Sequence, residues 1–205
     1  MFRRLFRTYG LPERIRSDNG QPFASCALGR LSQLSVWWIR LDIRPELIEP
    51  ASPQQTGRHE RMHKDLKAET TRPAAAARRA QQHRFDVFRH TYNYVRPHEA
   101  LDQHRPVALD APSDRPYVRC LTPITYPEHF EIRRVSTNGG IRWNHRWVNV
   151  SHILAQLPVG LEPLTEGTWN VFFGPLHLGW LDEHDYRIHD HRGRLTRCRK
   201  LSPIS

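Results

Sequence analysis

The stretch Pro50 to Lys67, PASPQQTGRHERMHKDLK, places one carboxylate and two amines on a single helical stripe: Glu60, Lys64 and Lys67 recur at i, i+4 and i+7. A carboxylate in that position can hold a divalent cation through hard oxygen donors while the two lysines grip phosphate oxygens beside it. The same letters, H-E-R-M-H, also spell a zinc-hydrolase pattern in which His59 and His63 are ligands and Glu60 is the general base. Catalytic zinc needs a third protein ligand and a dry shell, and here the neighbours Arg58, Arg61, Lys64 and Asp65 are all charged. On the helical wheel His59, Met62, His63 and Leu66 share the apolar stripe, so both histidines are expected to pack against the core. Phosphodiester chemistry with two cations needs several converging carboxylates, and one is too few. Asp18 is the nearest candidate for a second, at the end of the segment ERIRS and at the head of Asp18-Asn19-Gly20, although such a string is also ordinary turn composition.

These groups need elements to hold them. Phe2, Leu5, Phe6 and Tyr9 trace one apolar helical stripe that Gly10 and Pro12 end. ERIRS, Glu13 to Ser17, reads as a short strand before a polar turn. Leu31, Leu34, Trp38 and Leu41 trace a second helix, and IRPELIEP, Ile43 to Pro50, a second strand. Pro50, Pro53 and Gly57 make a loop before the helix of Glu60. Phe85, Phe88, Tyr92 and Val95 share a further helical face that stops ahead of Pro97, because a proline disfavours helix in the residue before it. Pro112, Pro116, Pro123 and Pro127 punctuate a linker. Beyond it the period changes to that of short strands, FEIRRV, GIRWNHRWVNV, VGLEPL, TWNVFF and HLGWLD, the pattern of a small antiparallel barrel or sandwich.

Composition narrows the partners. The chain of 205 residues, 38% of them hydrophobic, can bury a modest core as one medium domain or two small ones. Twenty-eight of its 31 basic residues are arginine and the net charge is +10, which favours a polyanionic partner, although a biased genome and a solvated surface would give the same totals. No apolar run is long enough to span a bilayer and FRRLFRTYG is no signal peptide, so a cytoplasmic protein without a membrane partner is expected. Cys26, Cys120 and Cys198 are far apart and form no C-x-x-C pair, which points to free thiols.

Three strings in order, IRSDNGQPFAS, PASPQQTGRHERMHKDLKAET and YNYVRPHEAL, closely resemble those of bacterial insertion-sequence transposases that share the catalytic core of retroviral integrases, the DDE family. The resemblance runs from Phe2 to at least Leu101, and FEIRRVSTNGGIRW and VFFGPLHLGWLD are similar to the C-terminal β module of such enzymes. It implies an α/β protein: a partial RNase H-like integrase core over 1–110 with its first strands missing, a proline-rich linker over 111–127, a small all-β, barrel-like module over 128–188 and a basic tail over 189–205. By the same likeness Asp18 is the second catalytic aspartate and Glu60 the catalytic glutamate, both ligands of Mg²⁺ or Mn²⁺. Lys64 and Lys67 would approach the DNA end, with Arg58 and Arg61 beside them. Tyr92, Asn93, Arg96, Pro97 and His98 belong to a helix-ending signature whose plainer role is to lock a turn onto the core.

This sequence departs from the family's pattern in three ways. Thr56 stands where the family usually has asparagine, and the gap of 42 positions from Asp18 to Glu60 exceeds that of the retroviral relatives. The first catalytic aspartate has no counterpart, since Asp42, Asp65 and Asp86 do not lie where a preceding strand could hold one. The expectation is therefore a truncated transposase, inactive alone, whose partners are transposon ends, target DNA and other transposase chains and which is nucleoid-associated when bound. The alternatives are a non-specific DNA-binding remnant that interferes with intact transposase, and the zinc hydrolase of the H-E-x-x-H reading.

Overall fold

A computed structural model describes residues 1–48, 57–121 and 123–190, without the side chains of residues 58 and 59. The chain divides into two compact units, one made of Met1–Ile48 with Arg115–Ser205 and the other of Glu49–Asp114.

In the first unit α1 (Phe2–Tyr9) ends where Gly10 takes a positive φ of 79° and donates its N–H back to the Phe6 carbonyl at 3.0 Å. β1 (Arg14–Ser17) and β2 (Arg44–Leu47) form a parallel pair with Arg16 opposite Glu46. Between them α2 (Gln33–Arg40) starts at a reciprocal cap: Ser35 N–H donates to Ser32 Oγ at 3.1 Å and Ser32 N–H to Ser35 Oγ at 2.8 Å. The periodicity starting at Leu31 thus marks the helix, and the serine fixes its first turn. The part of the second predicted strand past Ile48, and the loop after it, lie outside the described residues.

The later strands are antiparallel: a five-stranded sheet in the order β3 (Glu131–Arg134), β6 (Pro158–Thr165), β7 (Thr168–Phe173), β8 (Leu176–Asp182), β9 (Arg187–His189), and a hairpin of β4 (Gly140–Trp143) with β5 (Arg146–Asn149). β9 escaped the sequence reading because three residues show no period.

The compact units are cut differently from the expected domains. Leu28, Leu31, Val36 and Ile39, from the N-terminal segment, share one buried cluster with Val135, Ile141, Trp143, Val159, Leu161, Val171, Phe173, Leu178 and Leu181 of the β region. A Cβ at Gly29, which has φ +63°, would meet the Leu178 side chain at 2.7 Å, so a bare backbone there lets the segment approach β8. A second cluster gathers Phe6, Leu11, Trp38, Leu41 and Ile43, with Tyr117 and Leu121 packed on it. The proline-rich segment is correspondingly no free tether. Arg115 donates to the carbonyls of Pro12, Leu41 and Asp42 at 3.3, 3.0 and 2.8 Å. The Tyr126 hydroxyl donates toward the Pro158 carbonyl at 3.1 Å and accepts from Gly174 N–H at 3.1 Å, and its burial raises its pKa above the ordinary value.

The second unit is helical. α3 (Gly57–Thr70) and α4 (Arg78–His90) are joined by a loop that Gln81 holds, its amide donating to the Thr70 carbonyl at 2.9 Å and accepting from Ala75 N–H at 2.8 Å. α4 runs into a π-helical turn, Thr91–Val95, and a short helix α5 (Pro106–Leu109) follows. Met62 and Leu66 of α3 line an open apolar groove with Phe85, Phe88 and Tyr92. Among the described residues no helix is long and apolar enough to cross a membrane.

Candidate nucleic-acid and metal site

α3 displays three stripes with three tasks. Met62 and Leu66 are half-buried against α4. Glu60, Arg61, Lys64 and Lys67 are all exposed, as a helix face offered to a phosphate chain would be. Asp65 and Glu69, one turn apart, face the signature that follows α4: Arg96 reaches Glu69 Oε1 at 2.6 Å and Asp65 Oδ2 at 3.5 Å. The hydrogen bond to Glu69 holds the Arg96 guanidinium further above its already high pKa. His98 completes the lock, its Nε2 sharing a hydrogen bond with the Tyr92 carbonyl at 3.0 Å and its ring meeting that of Tyr92 edge-on at 4.4 Å. Arg96 therefore fastens the end of the π-helical turn back to α3, and His98 folds back onto the turn itself at Tyr92. Asp65 and Glu69 were missed in the sequence, where their i, i+4 spacing was the available signal once an arginine in need of carboxylates is sought.

One expectation about α3 is corrected. His63 is exposed, whereas Met62 and Leu66 are half-buried and line the groove with Phe85, Phe88 and Tyr92. The side chains of Arg58 and His59 lie outside what is described, so the first histidine of the H-E-x-x-H pattern has no described geometry. A different correction concerns the thiols: Cys26 is disulfide-bonded, whereas Cys120 is exposed and free. A disulfide depends on Cα atoms within about 7 Å in space, which separation along the chain does not reveal.

Asp18 stands immediately after β1, exposed, its Oδ1 accepting the Gly20 N–H at 3.0 Å. That bond closes the turn and aims the rest of the carboxylate outward. Asn19 anchors the turn by donating to the Ile48 carbonyl at 2.9 Å, next to the end of β2. Ser17 Oγ and Asn19 Oδ1, on either side of Asp18, are buried and have no hydrogen-bond partner among the described residues. An oxygen-rich turn of this kind suits a hard cation, and its donor chemistry fits Mg²⁺ or Mn²⁺ better than zinc. Asp18 belongs to the first compact unit and Glu60 to the second.

Another group of potential ligands lies at the β8–β9 turn, where one ligand atom each from Asp182, Asp185 and His189 falls within 4.8 Å of the others. Hydrogen bonds from the backbone and side chain of His184 lower the Asp182 pKa.

Residues 41–106, about a third of the chain, match the integrase core domain family. The matched span contains β2, the Glu60 helix and the Arg96–His98 lock, and it supports an integrase-like relationship for that segment; Asp18 lies outside it. Among solved structures the chain is similar to a chain in the cryoEM structure of the simian T-cell lymphotropic virus intasome in complex with PP2A regulatory subunit B56 gamma, at 17% identity and a TM-score of 0.43. That alignment covers 86% of this chain, which spans 60% of the length of the viral-intasome chain.

Proposed function

We propose that the chain is part of an integrase-like polynucleotidyl transferase of the DNA-transposition type, in which Asp18 and Glu60 are divalent-metal ligands and Lys64 and Lys67 hold the DNA backbone. The observation that carries this reading is the exposed stripe of Glu60, Lys64 and Lys67 on α3, inside the segment that matches the integrase core domain.

Each residue has a definite task in such a reaction. Bound Mg²⁺ or Mn²⁺ supplies Lewis acidity at the phosphodiester and acidifies the attacking hydroxyl. Asp18, with Oδ1 tied to Gly20 N–H, presents its other oxygen in a fixed direction. Glu60, in the first turn of α3, presents a second hard oxygen donor. Lys64 and Lys67 neutralise the phosphates on either side of the scissile bond, and Arg58 and Arg61 extend the same basic face. Arg96 positions α3 through Glu69 and Asp65 without touching substrate. Two carboxylates are fewer than the three that the DDE resemblance implies, so strand joining would require a further metal ligand. In the cell it acts on the nucleoid with other transposase chains.

DNA binding is the accessible test. Binding to a labelled duplex should weaken steeply as salt rises, because each phosphate contact releases a condensed counterion, and Lys64→Glu with Lys67→Glu should lower both the affinity and the salt slope. Absent or salt-independent binding removes the proposal.

A further inference from the structure

The β4–β5 hairpin sets a tryptophan out in solvent. Its register gives it two faces: Ile141 pairs with Val148 on the buried side, whereas Arg142 pairs with Trp147 on the outer side, between Gly140 and Asn149. The neighbouring Trp143 has a role in the fold. It is buried, its indole N–H donates to Glu183 Oε1 at 2.7 Å, and its ring meets that of Trp169 edge-on at 4.8 Å. Trp147 has no comparable role; it is 48% exposed and makes no hydrogen bond or ring contact among the described residues.

Trp147 is nonetheless held in place. A Cβ built at Gly140 would overlap Cε2, Cζ2 and Nε1 of its indole, so the ring occupies the space above the bare glycine backbone diagonal to it. The surroundings are cationic. Arg142, directly opposite, is exposed and has no ion pair among the described residues. His145 at the turn is exposed, whereas Arg146 pairs with Trp143 on the opposite face and its guanidinium lies over the Tyr186 ring at 4.8 Å. Glu183, the carboxylate that the turn residue Asn144 reaches, accepts at one oxygen from Asn144, Trp143 and Trp169, at 3.1, 2.7 and 2.9 Å.

An exposed, pre-placed indole with a guanidinium directly opposite it suits a partner that is both anionic and planar. An intact duplex hides the faces of its bases, and an apolar peptide would meet arginine, histidine and asparagine. We infer that the outer face of this hairpin binds single-stranded nucleic acid, with Trp147 stacked on an unpaired base and Arg142 on a flanking phosphate. The inference rests on the DNA reading above but uses none of its residues. Stacking is indifferent to base identity because every base presents a π face, so the site grips unpaired strand without reading sequence.

The test compares the whole chain with its W147A, W147F and R142A variants, using fluorescence anisotropy on a labelled oligothymidine, an abasic strand of equal length and charge, and a duplex. Loss of one base–aromatic stack should weaken oligothymidine binding by W147A about tenfold. Its binding to the abasic strand and to duplex should stay within about twofold of wild type, since the phosphate contacts remain. W147F should recover most of the loss, and R142A should weaken oligothymidine and abasic strand alike. Thermal melting shows whether each variant is folded. The inference fails if W147A binds oligothymidine as wild type does, if it loses both strands equally, or if the wild-type chain binds neither. It fails also if sedimentation shows that Trp147 substitution only dissociates a dimer. A normal W147A result leaves the Asp18 and Glu60 proposal standing, and failure of those residues to bind a cation leaves this one standing.

Discussion

Arg96 closes on Glu69 at 2.6 Å, and through that contact the residues after the π-helical turn are fastened to the last turn of α3. The guanidinium also reaches Asp65 one turn earlier, at 3.5 Å, so a single side chain spans two carboxylates on the helix that carries Glu60. Lysine could supply the charge but not the planar fork.

Replacing Arg96 should therefore loosen the α3 end of the second unit. Both partners are partly exposed, so Arg96→Ala should cost about 1 kcal/mol of stability, and Arg96→Lys should restore less than half of it. Denaturant unfolding of the two variants checks this. Wild-type stability in Arg96→Ala would show that the ion pair is ornamental.

Glu46 predicts a pH dependence. The hydrogen bond from Arg14, at 3.0 Å, and a weaker one from Arg16, at 3.3 Å, hold its carboxyl below the usual value near 4.5. A carboxylate depressed in the folded state contributes stability that is fully present above its unfolded pKa and is lost as pH falls through the folded one. The thermal midpoint should thus decline more steeply with acid below about pH 4.5 in wild type than in Glu46→Gln, and added salt should narrow the difference. Parallel curves for the two proteins would remove Arg14 and Arg16 as the cause.

Glu183 makes a larger contribution because its partners are less exposed to solvent. Glu183→Ala leaves the indole N–H groups of Trp143 and Trp169 without their acceptor and should destabilise the chain by about 1 to 3 kcal/mol. Glu183→Gln keeps a carbonyl oxygen and should be milder. Equal losses in the two variants, measured by urea unfolding, would show that the carboxylate acts by packing alone.

Much of the candidate site was legible in the sequence because its parts are local. The stripe of Glu60, Lys64 and Lys67 follows from helical spacing, and Asp18 at a strand end follows from ERIRS running into Asp-Asn-Gly; both are found as read. The Arg96 and His98 lock was legible as a turn, but its acceptors on α3 were not, since periodicity marks a face without naming what meets it. The same limit hid the association of Leu28, Leu31 and Ile39 with the β strands. Nothing in the letters around Gly29 shows that its missing side chain makes room for Leu178. His63 fits an apolar stripe by its position beside Met62 and Leu66 but is exposed, because helical spacing marks a stripe without fixing how wide its buried part is.

Strand chemistry should be absent from the isolated chain. With labelled element-end duplex and Mg²⁺ or Mn²⁺, the purified protein should yield neither nicked nor joined product. A product that vanishes in Asp18→Asn or Glu60→Gln would show that the two carboxylates suffice.

The central claim is that Asp18 and Glu60 are metal ligands, and Mn²⁺ binding followed by electron paramagnetic resonance in the presence of duplex DNA tests it most directly. The measurement is made in an Asp185→Asn background, which removes a ligand from the group at the β8–β9 turn. The account predicts that Asp18→Asn and Glu60→Gln each weaken tight Mn²⁺ binding. Mn²⁺ affinity unchanged in both single variants would contradict it.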